Sequence, residues 1–303
     1  MVHEFARRDS RVVFIGSDLG AGTLDKLRAE LPGQFFMEGV NEASIIGMAS
    51  GLAAEGHIVY VNTIAVFITR RAYEQVALDL CLPARNVRLI GSGGGLVYAP
   101  LGPTHMAIED IALMRALPNM TVIAPADARE MRRMMLLVEH HPGPVYIRLG
   151  KGNEPDITPE DLDLELGIPY LFRPGNDALF ITTGVTLHTA AAAAELLAGQ
   201  SVETGILHCP AVKPLDAESV LAAIERVPVT VTVEEHVRAG GLGSAVAEPP
   251  SSRPRFFRQV GLPDEFPEHY GSQADLLQHY GITPEALAGH VMELTMKARA
   301  AGL

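Results

Sequence analysis

The chain has 303 residues, is 48% hydrophobic and 20% charged, and is therefore long enough for two domains with real cores and ordinary in composition for a globular protein. Its formal charge of -12 argues against a nucleic-acid or anionic-membrane surface, because phosphate backbones are bound by clustered Lys and Arg, and it leaves room for a small phosphorylated ligand held by one or two arginines. No apolar run approaches the ~18 residues needed to cross a bilayer, the N-terminus lacks the apolar core of a secretory signal, and Cys81 and Cys209 neither make a disulfide framework nor have metal-ligand spacing, so the expectation is a cytoplasmic protein.

Residues 11–150 alternate β-branched runs with helical patterns. Arg11–Ile15 predicts a buried strand and Gln34–Met37 a second, followed by a helix from Glu42 to Glu55. A strand over His57–Val61, a helix over Tyr73–Leu82 and a strand over Asn86–Ile90 come next. A helix over Ile108–Ala116 leads to strand Thr121–Ala124, and a helix over Ala128–Glu139 leads to strand Val145–Arg148. This alternation predicts βαβ units and a parallel sheet covered on both faces. Lys151–Asp161 is polar and carries Pro155 and Pro159, which marks residues 151–170 as a linker. A second α/β region follows, with strands at Ala178–Ile181, Glu203–Leu207 and Val229–Val233 and an alanine-rich helix over Thr186–Ala198. Thr283-Pro284-Glu285 opens a closing helix, with Pro in the first turn and an acid suited to the helix dipole. The fold class expected is α/β: two doubly wound, mainly parallel domains over residues 1–150 and 171–303, joined by the linker.

The most telling stretch is Gly102-Pro103-Thr104-His105, continued through Met106–Asp127. It resembles the sugar-end active-site loop of transketolases and 1-deoxyxylulose-5-phosphate synthases, which use thiamine diphosphate. Read alone, His105 is an ordinary loop histidine; the resemblance implies that it faces the reacting carbonyl, where a near-neutral imidazole can move protons to and from a substrate hydroxyl. Val40-Asn41-Glu42 matches the family's segment before an apolar helix at the Glu. On its own Glu42 is a first-turn carboxylate favoured by the helix dipole. The resemblance implies instead that Glu42 contacts the aminopyrimidine ring of the cofactor and tunes its protonation, while the cofactor carries the carbon–carbon chemistry. Phe67 fills the place of the aromatic that stacks on that ring, and Ile64 stands where the family has another aromatic, making one wall aliphatic. Asp18 occupies the position of a family Asp near the cofactor, although turn chemistry accounts for it equally well.

The departures matter as much. Leu101 stands where transketolases carry an acid that reads a sugar hydroxyl, and Gly93 falls at the place of a histidine near the acceptor phosphate. Arg148, by itself a strand-end arginine, aligns with an arginine that binds phosphate at the channel mouth. Polar recognition groups govern selectivity by orders of magnitude, so ordinary pentose phosphates are not implied, and a less hydroxylated or differently charged ketose, or a 2-oxo acid donor, fits better. The run Gly91–Gly95 leads into Leu96–Pro100 rather than a helix, which makes a nucleotide cradle a poor reading and a flexible loop beside the substrate channel a better one. His208 and His236 read as structural, and Pro249 onward interrupts a helix that the family continues.

No Gly-Asp-Gly occurs in the chain, and only about ten residues precede the first predicted strand. That motif binds magnesium and the cofactor diphosphate through hard oxygen ligands. The chain thus resembles the C-terminal subunit of a split transketolase, which implies an N-terminal partner carrying the Mg2+ and diphosphate site and an α2β2 heterotetramer with the active site between chains. A two-carbon ketol transferase is the reading the resemblance supports best. The β subunit of a 2-oxo-acid dehydrogenase decarboxylating component shares the same two domains, and a non-catalytic module of the same fold is the third alternative.

Overall fold

The computed structural model describes residues 1–16, 24–249 and 256–302. In chain order the strands are β1 (Val12–Gly16), β2 (Phe35–Met37), β3 (Ile58–Ile64), β4 (Val87–Ser92), β5 (Thr121–Ile123), β6 (Val145–Arg148), β7 (Tyr170–Arg173), β8 (Ala178–Thr182), β9 (Thr204–His208), β10 (Ala211–Lys213), β11 (Val229–Val237) and β12 (Phe256–Leu262). Among the described residues they form two sheets, ordered β10-β5-β6-β4-β3-β1-β2 and β12-β11-β8-β9-β7. β1 to β6 all run parallel, with Phe14 beside both Phe35 and Tyr60 and Gly91 beside Arg148. β1, β5 and β6 are buried along their whole length, as strands sandwiched between helices must be.

The helices follow the predicted pattern and end where the chemistry directs. Asp127 caps the helix Ala128–Leu137 by accepting the Glu130 N–H at 2.8 Å. Thr283 does the same for the closing helix Pro284–Ala300 through Ala286, so the Thr-Pro-Glu start works as the sequence suggests. One predicted helix differs: after Tyr73–Gln75 the chain widens into a π-helix over Val76–Cys81, and a π turn also spans Phe67–Arg71. The two are marked by hydrogen bonds from Ala72 N–H to Phe67 O and from Leu82 N–H to Ala77 O, five residues apart. A period of 3.6 in the sequence does not reveal one extra residue per turn, and such turns recur at functional sites.

The two regions share a core and a sheet edge. Val59, Leu89, Ile111 and Tyr146 lie in one apolar cluster with Ile181, Leu207 and Leu242, and each fully buried aliphatic of this kind contributes about 1.5–3 kcal/mol. β10, which belongs to the second region by sequence, pairs antiparallel with β5, Ala211 opposite Ile123. The linker is held too: Asp127 accepts the N–H groups of Ile157 and Thr158 and the Thr158 hydroxyl at 2.8–2.9 Å. Burial works against the Asp127 charge, but these bonds prevail and hold its carboxyl below the ordinary range.

Candidate active site

Because β1 to β6 are parallel, their carboxyl ends open on one edge of the sheet, the edge where α/β proteins place ligands. Glu42 follows β2, Phe67 follows β3, the His105 loop follows β4, and residues 149–154 follow β6. Three of these side chains, with a fourth that sequence reasoning did not single out, make a continuous line. Glu42 is the first residue of the helix Glu42–Ala54 and is 2% exposed. Its Oε2 accepts from the Arg71 guanidinium at 2.9 Å. Arg71 lies over the Phe67 ring, 4.7 Å from its centre, within the range of a cation–π contact. Phe67 in turn meets the His105 imidazole edge-on, with ring centres 5.3 Å apart. Ile64 and Phe67 both pack against the small cluster of Ala65, Val66 and Ala107, so the aliphatic wall expected at Ile64 stands next to the aromatic one. His105 Nδ1 lies 2.9 Å from the Thr104 hydroxyl. Asp18 lies outside the described residues.

A buried carboxylate, an aromatic ring and a partly exposed imidazole along one line are residue types that could receive a flat heterocycle with titratable nitrogens: ring faces supply stacking area and a carboxylate a proton partner. Glu42, Ile64 and Phe67 are thus the residues that could hold such a ring. Among the described residues no group of three or more His, Cys, Asp or Glu side chains is arranged to hold a metal.

Leu101 ends the turn Ala99–Leu101 and is exposed. It borders a cleft of about 770 Å³ that also involves Ser92, Gly93, Tyr98, Lys151 and Asn153. Arg148 does not reach this cleft. It is 6% exposed, and its Nε donates to Asp110 Oδ2 at 2.8 Å while Nη2 donates to the carbonyls of Glu235 and Ala107. Arg148, expected as a phosphate anchor, is thus enclosed between the two regions, with its guanidinium engaged by Asp110 and by backbone carbonyls of both. Lys151 does line the cleft, together with the carboxylates of Asp127 and Glu154. The glycine run, expected as a flexible loop beside the substrate channel, borders this cleft at Gly93 and is closely packed. A side chain at Gly94 would collide with Arg148, and Gly93, at φ +73°, lies tight against Tyr98. From the second region, the segment after β12 comes over the same loop: the Arg70 guanidinium sits over the Phe266 ring at 5.6 Å, and Tyr270 lies nearest Gly102. Both aromatics are exposed.

β11 carries Glu234, Glu235 and His236 into the interface. Glu235 accepts the Leu96 N–H at 2.6 Å and the Gln273 amide, while His236 Nε2 accepts the Ala112 N–H at 3.2 Å. His208 sits between Thr182 and Glu130 at 2.8 and 3.3 Å. Both histidines serve the packing between regions, as the sequence suggests. Burial pushes the Glu234 carboxyl up to about 7, against the lowering by the N–H groups of Gly243 and Leu242. A carboxyl raised from its ordinary 4.5 keeps its proton in the folded state while the unfolded chain has lost it, so stability falls as pH rises between those two values. The expected result is a wild-type Tm that declines from about pH 4.5 to about 7, with a shallower decline for Glu234→Gln. Equal slopes for the two proteins in scanning calorimetry would refute the assignment.

Family models match the chain twice: "Transketolase, pyrimidine binding domain" over residues 1–156 and "Transketolase, C-terminal domain" over residues 170–287. Among curated proteins, an apulose-4-phosphate transketolase subunit of Phocaeicola vulgatus is 36% identical, covering 97% of this chain and 95% of its own length. The 6-deoxy-6-sulfo-D-fructose transketolase subunit SqwH of a Clostridium species is also 36% identical, covering 96% and 91%. Among solved structures, a split-gene transketolase described as an inactive beta4 tetramer superposes with a TM-score of 0.89 at 33% identity, over 97% of this chain and 95% of that one.

Proposed function

Because the chain belongs to the transketolase family, we propose that it is the half of a two-chain, thiamine diphosphate-dependent ketol transferase that carries the pyrimidine side of the cofactor site. The observation that carries this reading is the line Glu42–Arg71–Phe67–His105 on the carboxyl edge of the parallel sheet. When bound, the cofactor supplies the electron sink that lets a carbon–carbon bond break beside a carbonyl. Glu42 shares a proton with the pyrimidine ring, Phe67 and Ile64 form the walls that exclude water from it, and His105 gives and takes the proton of the substrate hydroxyl. The diphosphate and Mg2+ are held by a second, N-terminal subunit, two copies of each chain completing an α2β2 assembly in the cytoplasm.

The donor is a ketose whose far end is anionic. Leu101 offers no hydroxyl reader, and the adjoining cleft carries Lys151 beside the carboxylates of Asp127 and Glu154; both carboxylates already accept backbone N–H groups, which leaves the flexible ammonium of Lys151 to meet a phosphate or sulfonate as a point charge. The names of the two curated relatives carry such groups, a phosphate and a sulfo substituent. The test is reconstitution: this chain and a Gly-Asp-Gly-bearing subunit encoded in the same genome, with Mg2+, thiamine diphosphate and a panel of neutral, phosphorylated and sulfonated ketoses. Two-carbon transfer from an anionic ketose is expected only with both chains present. Full turnover by this chain alone, or transfer by the pair from neutral ketoses only, would sink the respective part of the reading.

A further inference from the structure

The π turn Phe67–Arg71 ends in two consecutive arginines with separate partners. Arg71 pairs with Glu42. Arg70 turns to the His105 loop and grips it at both ends. Its Nη1 donates to the Pro103 carbonyl and its Nη2 to the Met106 carbonyl, both at 3.1 Å. The same guanidinium forks onto both carboxylate oxygens of Glu109, through Nε to Oε1 and Nη2 to Oε2. Phe266 covers its face from the second region. His105 lies between the two gripped carbonyls, in a loop with no regular structure after the turn at Ala99–Leu101.

We propose that Arg70 is the positioning residue of the His105 loop, setting the imidazole against Phe67 while Glu109 fixes the orientation of the guanidinium. The inference rests on the proposed function for what His105 does, but not for where it is held. Carbonyls at Pro103 and Met106 take their partners from one rigid planar group, so the peptide between them has little freedom left. Only a fork with several donors in fixed geometry can serve two carbonyls and a carboxylate together; an ammonium offers a point charge without that geometry. Misplacing a reacting group by about 1 Å costs on the order of 10²-fold in rate.

The experiment has two arms. In the isolated chain carrying labelled histidine, Arg70→Met is expected to shift and broaden the His105 imidazole resonance, while the other histidines among the chain's 11 keep their positions and so report an intact fold. In the reconstituted two-chain enzyme, Arg70→Met is expected to lower kcat by about 10²-fold with KM little changed, and Arg70→Lys to recover only part of the loss. An unmoved His105 resonance in Arg70→Met would overturn the proposal, and so would a shifted resonance accompanied by wild-type kcat. Wild-type activity of His105→Ala would instead remove the function assigned to His105, and the resonance arm would still decide whether Arg70 holds the loop.

Discussion

Glu42→Gln in the assembled two-chain enzyme is expected to lower kcat by ~10²–10⁴-fold, the range supplied by a positioned proton-transfer group. The amide keeps the size and the place of the side chain at the start of the helix Glu42–Ala54. It removes the charge that pairs with Arg71 at 2.9 Å and the ability to trade a proton with a bound heterocycle. The loss of this first-turn carboxylate costs up to about 2 kcal/mol, and the amide oxygen can still accept from Arg71, so the chain is expected to fold and assemble. Steady-state kinetics at saturating thiamine diphosphate, with circular dichroism as a check on folding, reads the effect. Activity within a few-fold of wild type would mean that the carboxylate takes no part in activating the cofactor, whatever else the site does.

Arg148→Met should unfold the chain more readily by ~3–5 kcal/mol, the usual consequence of removing one member of a buried ion pair. Asp110 is fully buried, and its Oδ2 is shared by Arg148 and the Tyr146 hydroxyl while Oδ1 has no partner among the described residues. Without the guanidinium the carboxylate is left in a dry interface, and the carbonyls of Glu235 and Ala107 lose a donor as well. Urea denaturation measures the loss as a lowered midpoint. The same variant separates two roles for this arginine. A substrate anchor would leave the midpoint unchanged and raise KM for phosphorylated ketoses; the enclosed position of Arg148 predicts the opposite.

Much of this arrangement is legible in the sequence, and the boundary is physical. Strands such as Val12–Gly16 and helices such as Thr186–Ala198 announce themselves through local pattern, and Glu42, Phe67 and His105 through the segments around them. The contacts that organise the site are not local. Arg88, fully buried and donating to the carbonyls of Glu139 and His141, reads in the sequence as an ordinary strand residue. Arg71 takes its role from a helix start 29 positions upstream, and Arg70 from a carbonyl 36 positions downstream. The surroundings of Arg148 are hidden for the same reason: a strand end faces solvent or another region depending on what packs on it, and Glu235 lies 87 positions along the chain. Phe266 and Tyr270 remain exposed, but the second region sets them beside Arg70 and Gly102, a placement no local pattern announces.

The strand that the second region lends to the first sheet has a consequence for how a gene of this kind can be divided. An unpaired sheet edge is a template for aggregation, and β10 caps the β5 side, where Ala211 and Lys213 lie along Ile123 and Val122. A break in the reading frame within the linker would separate a chain ending near residue 156 from the strand that closes its edge, and each product would carry half of a shared apolar interface into solution. By this logic the two regions are one folding unit, and the linker between them is a poor place to divide it.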